Sequence, residues 1–319
     1  MSEPIESSAS AAAWEREALQ KLLSEHLKER RSVRRWRWLK GLLFIAAVAA
    51  AAYGLWRDTG GHMTPVGLHT AVVVVDGVID AGSESSANAI NEALRDAFDA
   101  PNSKAVVLLF NSPGGSPVQA GIVNDEIRRL KALYDKPVYA VVEDMCASAA
   151  YYIAVGADRI YVDKASVVGS IGVLMDGFGF TGLMNKLGIE RRLLTAGKNK
   201  GFLDPFSVQT ESQRAHAQGL LNEIHQQFIA TVRQGRGTRL HETPETFSGL
   251  AWTGSQAVTM GLADGMGSLD SVARDVVNAE DIVDYTIHEN LQQRLVKQLG
   301  ASMGSAMVNV AKLTNWQLH

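Results

Sequence analysis

With one cysteine, Cys146, in 319 residues, the chain can close no disulfide within itself and build no multi-cysteine zinc site. Its eight histidines are scattered. His216 and His225 stand nine residues apart on a predicted helix, which is not a metal-ligating spacing. A concentrated excess of positive charge is also missing: the formal net charge is −3, which gives no footprint for nucleic acid. No repeat of fixed period runs through the sequence. The composition, 46% hydrophobic and 20% charged, excludes a disordered chain, and the length suits one large domain or two small ones.

What is present begins with an asymmetry. Arg30, Arg31, Arg34, Arg35, Arg37 and Lys40 fall within eleven residues, so the remainder is acidic. They follow a charged helical pattern over 11–35 and precede an uncharged run, GLLFIAAVAAAAYGLW (41–56). Sixteen helical residues span about 24 Å, short of a hydrocarbon core of about 30 Å. Trp36, Trp38 and Trp56 at the interfaces, with Lys40 and Arg57 reaching outward, extend it to a workable transmembrane span. A buried helix would not need such flanks, and a cleaved signal peptide does not carry forty residues ahead of its apolar part. The expectation is an uncleaved signal anchor in the inner membrane. The basic segment 1–40 is then cytoplasmic, and everything beyond a Gly- and Pro-containing tether (57–70) is periplasmic.

Beyond the tether, AVVVVDGVI (71–79) reads as a strand buried on both faces. A helix over 86–100, a strand at 105–110, a helix to about 133, a strand at 137–142, a helix through Ser148 to 155 and a strand at 159–162 follow in alternation. That pattern predicts an α/β fold with a largely parallel sheet and flanking helices. Longer and shorter helices are expected at 211–233 and 252–261, and a helical C-terminal extension at 276–319.

Three small-residue turns follow predicted strands: NSPGGS (111–116), MCASAAYY (145–152) and VVGSIGV (167–173). In parallel α/β folds such turns hold the ligand. Gly114 and Gly115 let backbone N–H groups approach a substrate oxygen, as an oxyanion hole requires. Ser148 opens a helix, where the free N–H groups favour developing negative charge. Taken singly, a Gly-Gly turn is only a turn and a serine before a helix is an N-cap. Cys146, two residues before Ser148, has no motif partner and reads as a small buried filler.

In combination these segments carry more. NSPGGS, ASAAYYIAVGADRIYV, GSIGVLM, GKNKGFLDPF and FSGLAWTGSQAVTMGLADGMGSLD, in that order, resemble the signal peptide peptidase A family of Ser-Lys peptidases over roughly Val72–Leu269. That family shares the Clp protease/crotonase-like fold, so the resemblance implies such a domain over 71–275, preceded by one transmembrane helix. It implies Ser148 as nucleophile, Lys200 as general base, the Gly114 or Gly115 amide in the oxyanion hole, and Ser170 as a group orienting the lysine. No cofactor or metal is implied, and the partners are peptide substrates and the membrane. Where the family commonly has two glycines after the nucleophile, this sequence has Ala149 and Ala150. Ala149 keeps its N–H as an oxyanion donor, while the added methyls narrow the pocket beside it. Lys198 competes with Lys200, but Gly197 and Pro205-Phe206 align in favour of Lys200.

An unperturbed lysine is only about 0.04% neutral at pH 7, so a lysine base must be desolvated by apolar walls. The polar, glycine-containing segment around Lys200 supplies none. They come from elsewhere in the fold or from a neighbouring subunit, and half-length members of the family pair serine and lysine across adjacent subunits of a ring. With one copy of the pattern, this chain resembles them, and a ring-like homo-oligomer is expected. Two alternatives use the same fold. A crotonase-like acyl-CoA enzyme leaves the Ser148 and Lys200 segments and the anchor unexplained. A non-catalytic membrane scaffold would predict a damaged dyad.

Overall fold

The computed structural model describes residues 67–287, together with 38, 40–46, 48 and 49. All of the expected basic segment 1–40 except 38 and 40, half of the 41–56 anchor, most of the tether and the end of the C-terminal extension (288–319) lie outside the described residues. The chain divides into two units, Met1–Thr64 and Pro65–His319. In the first, residues 40–46, 48 and 49 are helical with exposed side chains. Among the described residues no helix is long and apolar enough to cross a membrane.

The second unit is α/β. Its sheet runs β6-β5-β3-β2-β1-β8, with β4 pairing β3 and β7. The strands are β1 (His69–Ile79), β2 (Ser103–Gly115), β3 (Val138–Ala147), β4 (Arg159–Val162), β5 (Val167–Gly169), β6 (Ala251–Thr253), β7 (Gly265–Met266) and β8 (Ile282–Asp284). Every pairing is parallel except β5 with β6. The period-two alternation of a strand divides the core. Ala71, Val73 and Val75 of β1 and Val106, Leu108 and Phe110 of β2 face one apolar cluster. Val72, Val107 and Leu109 face a second, smaller one, closed by Val272, Val277 and Ala279.

The larger cluster is covered by α1 (Ala87–Asp99), α2 (Pro117–Leu133), α3 (Ala149–Ala154) and the buried end of α5 (Glu211–Arg236). Local chemistry starts these helices. Ser86 caps α1, Ser116 with Pro117 caps α2, and Thr210 with Gln213 forms a capping box on α5. A short helix, α4 (Thr181–Leu187), buries none of its residues. Helix α6 (Gly254–Thr259) follows.

Two expectations are corrected. The helix expected over 252–261 starts only at Gly254, because Thr253 and Gln256 form a capping box there. Residues Ala251–Thr253 pair antiparallel with Val167–Gly169. The expected helical extension from 276 contains a strand instead, since Ile282–Asp284 pair with Thr70–Val72 of β1. The main-chain groups of β1's free edge must be satisfied, and this segment satisfies them.

A buried ion-pair network ties the end of α5 to the sheet. Arg236 donates from Nε to the Gly261 carbonyl (2.8 Å) and from Nη1 to Asp264 (2.8 Å). Asp264 also accepts from Arg239 (3.0 Å) and from the Ile160 N–H (2.7 Å). Burial alone would raise the Asp264 carboxyl. The Arg236 hydrogen bond and charge, the Ile160 N–H and Arg239 outweigh it and hold it below the ordinary carboxylate range. Between α1 and α2, Glu126 is held at about 2, chiefly by its hydrogen bond to Arg129 and, against the opposing effect of burial, by Arg95.

A folded pKa below the unfolded value contributes stability that is present above the unfolded pKa and lost as pH falls through the folded one. Stability is therefore expected to hold from neutral pH down to about 4.5 and to fall steeply below about 4. Denaturant unfolding of wild type and Asp264→Asn across pH 2.5–7 checks this. The variant should be weaker at pH 7 and show a shallower acid slope; identical slopes would remove Asp264 from the account.

Candidate active site

Strand β3 ends at Ala147 and α3 begins at Ala149, so Ser148 is the whole of the turn between them. It stands at φ 52°, ψ −121°, outside the conformations L-residues prefer, and makes no side-chain capping bond. Its N–H donates to the Gly169 carbonyl at 2.8 Å. Such a backbone costs of order 1–3 kcal/mol and persists only where the surroundings impose it. A sharp strand-to-helix turn of this kind leaves the hydroxyl half-exposed and without a hydrogen-bond partner among the described residues.

Beside Ser148 lies the glycine turn at the end of β2. Gly114 has φ +100°, and a Cβ there would lie 2.8 Å from both the Ser148 Cβ and the Ala149 nitrogen. Gly115, at φ +151°, is pressed against the Ile79 carbonyl. The two predicted turns thus meet backbone to backbone, a distance only glycine permits. Their amides differ, however. The Gly114 N–H donates to Ser112 Oγ (3.1 Å), and Ser112 Oγ donates to the Gly77 carbonyl (2.6 Å). Gly115 lines the cavity described below. Ser112, fully buried, was not singled out from the sequence. The serine before Pro113 was a signal, but its role depends on Gly77, which is 35 residues away.

A cavity of about 820 Å³ opens against this turn. Ser148, Ala149, Ser170 and Gly115 line it, with apolar walls that include Val118, Ile122, Tyr152 and Phe228. Ser170 is a second non-glycine residue with positive φ, 50°, and its N–H is held by the Leu250 carbonyl (2.9 Å). Helix α5 pins the same loop, for His225 Nε2 is hydrogen-bonded to the Ile171 carbonyl at 3.0 Å. Tyr152 packs on Phe228 with ring centroids 5.1 Å apart and accepts from Thr231 Oγ1 (2.9 Å). Cys146 is fully buried, and burial pushes its thiol well above the ordinary range; it does not line the cavity. No group of metal-ligating side chains occurs among the described residues.

Of the residues expected from the sequence, the fold therefore brings together Gly114, Gly115, Ser148, Ala149 and Ser170. The lysines are elsewhere. Lys200 is exposed in a turn, its N–H donating to the Gly197 carbonyl (3.1 Å), and neither it nor Lys198 lines the cavity. Both belong to a stretch, 173–223, in which no residue is buried. That stretch nevertheless carries large apolar side chains, among them Leu174, Phe178, Leu194 (96% exposed) and Val208.

Residues 132–282 match the model of peptidase family S49. A Na+/H+ antiporter of Brucella melitensis is 42% identical over 248 residues, 76% of this chain and 33% of the relative. A protein of Methanocaldococcus jannaschii named as a protease is 32% identical over 220 residues, 66% of this chain and 70% of the relative. Protease 4 of Haemophilus influenzae is 31% identical over 218 residues, 67% of this chain and 35% of the relative. The chain thus spans about a third of the length of the antiporter relative and of protease 4.

Proposed function

Since this chain belongs to peptidase family S49, the serine peptidases of the signal peptide peptidase A type, we propose that it is a membrane-anchored serine endopeptidase with a Ser148–Lys200 dyad. The observation that carries this reading is the strained Ser148 turn, its hydroxyl free, set against the Gly114–Gly115 turn beside an apolar cavity. Its domain is of the Clp protease/crotonase-like kind, for which the parallel sheet and its flanking helices are the support. The 41–56 segment is the anchor, with the N-terminus cytoplasmic and the domain periplasmic, and the substrates are signal peptides or other membrane-derived peptides.

In this reading Ser148 Oγ attacks the scissile carbonyl as its proton passes to neutral Lys200 Nζ. The tetrahedral oxyanion accepts hydrogen bonds from the Gly115 and Ala149 N–H groups. The Gly114 N–H, already donated to Ser112, is better suited to holding the loop. Collapse breaks the C–N bond, and the leaving amine takes the proton from Lys200. Water, deprotonated by the same lysine, then releases the acyl group from Ser148. Each oxyanion donor in such a site is worth about 10²–10³ in kcat. Ser170, on the cavity wall, orients the lysine.

The base comes from a neighbouring copy in a ring. Two observations support this: Lys200 is outside the cavity of its own chain, and the exposed apolar side chains of 173–223 want covering. A second copy that covers them also desolvates the lysine. Co-expression of Ser148→Ala with Lys200→Ala tests it. In an equal random mixture about a quarter of the sites combine an intact serine with an intact neighbouring lysine, so about a quarter of wild-type activity is expected. Co-assembled variants that remain inactive would refute the shared dyad.

A further inference from the structure

The cavity beside Ser148 carries a charge that its walls do not balance. Val118, Gly121, Ile122 and Asp125 all line it, at the i, i+3, i+4, i+7 positions of one stripe of α2. The first three make that stripe small and apolar; Asp125 ends it with a carboxylate. No lysine, arginine or histidine among the described residues lines the cavity. The cations nearest in sequence on the helix are engaged elsewhere. Arg128 donates to Asn124, Arg129 to Glu126, and Lys131 pairs with Asp158. Asp125 itself forms no ion pair or hydrogen bond among the described residues. An uncompensated carboxylate on the wall of an apolar cleft focuses a negative potential into it.

We propose that Asp125 is a specificity-determining residue, selecting peptides that present a lysine or arginine among apolar side chains. The proposal rests on the peptidase reading of the same site and adds to it a substrate class: apolar peptides with one basic residue. Because Asp125 is exposed, the preference is moderate, about three- to tenfold at low ionic strength, and salt weakens it.

The test uses the full chain and fluorogenic peptides of leucine and alanine in which one Lys, Gln or Glu is stepped along the positions flanking the scissile bond. At one position Lys is expected to raise kcat/KM about three- to tenfold over Gln at low salt, and Glu to lower it, with the spread collapsing in 0.5 M salt. Asp125→Asn should equalise the three peptides. The absence of a lysine advantage at every position, or one that survives Asp125→Asn, overturns the proposal. Fluorescence anisotropy of the same peptides on Ser148→Ala should give the same Lys-over-Gln order in affinity, and equal affinities would also overturn it. A wild type that binds in this order yet cleaves nothing would instead refute the peptidase reading and leave the selectivity standing.

Discussion

Ser148→Ala should lower peptide hydrolysis by about 10⁴- to 10⁶-fold, the scale on which removing a nucleophile leaves only the residual contribution of the oxyanion hole and binding. Ser148→Gly should be equally inactive, and here the fold adds a signature that a loss of activity alone does not carry. At φ 52° glycine relieves backbone strain that serine must bear, so the glycine variant should be more stable than wild type by about 1 kcal/mol. Inactivation with a gain of stability is the mark of a strained conformation kept for chemistry. Denaturant midpoints and hydrolysis of a fluorogenic peptide measure the two quantities. A fluorophosphonate probe followed by peptide mapping identifies the reacting residue. Retained hydrolysis in Ser148→Ala, or a probe adduct on another residue, would end the assignment.

The second large effect is on stability. Arg236→Ala is expected to cost about 3–5 kcal/mol, because it removes the partner of a mostly buried carboxylate and leaves that charge poorly compensated. The side chain is 1% exposed, while Arg239, the other cation on Asp264, is 39% exposed. Arg239→Ala is therefore expected to cost only about 1 kcal/mol. The double variant Arg236→Met, Asp264→Leu should recover part of the loss, since replacing a buried pair by apolar groups is less damaging than breaking it. Arg236 also carries Nη2 without a hydrogen-bond partner among the described residues, so the network is not an optimised one. Equal losses for Arg236→Ala and Arg239→Ala in urea unfolding would show that burial does not set their difference.

Some of this was legible before any coordinates. The apolar run 71–79 and the alternation after it specify buried parallel strands, since a strand covered on both faces has no polar face to write into its sequence. The turns at Gly114–Gly115 and Ser148 were legible as well, because glycine pairs and strand-to-helix serines are local signals. The family followed from the order of these motifs, and the match over 132–282 bears it out. Short strands were not legible. Ala251–Thr253 and Ile282–Asp284 have three residues each, too few for any period, and they are strands only because the edges of β5 and β1 need partners.

The sequence by itself determined the parallel α/β core, the small-residue turns and the residue types that could serve peptide hydrolysis, because periodicity and turn chemistry are local properties. Only the tertiary structure decided how those turns meet. Gly114 lies against the backbone of Ala147 and Ala149, the two neighbours of Ser148, which stands at positive φ. A hydrogen bond to Ser112 engages the Gly114 amide, while Gly115 lines the cavity. The fold also leaves Lys200 exposed within 173–223 and outside the cavity that Ser148 lines. Each of these rests on residues brought together from distant parts of the chain, and sequence spacing carries no measure of that distance.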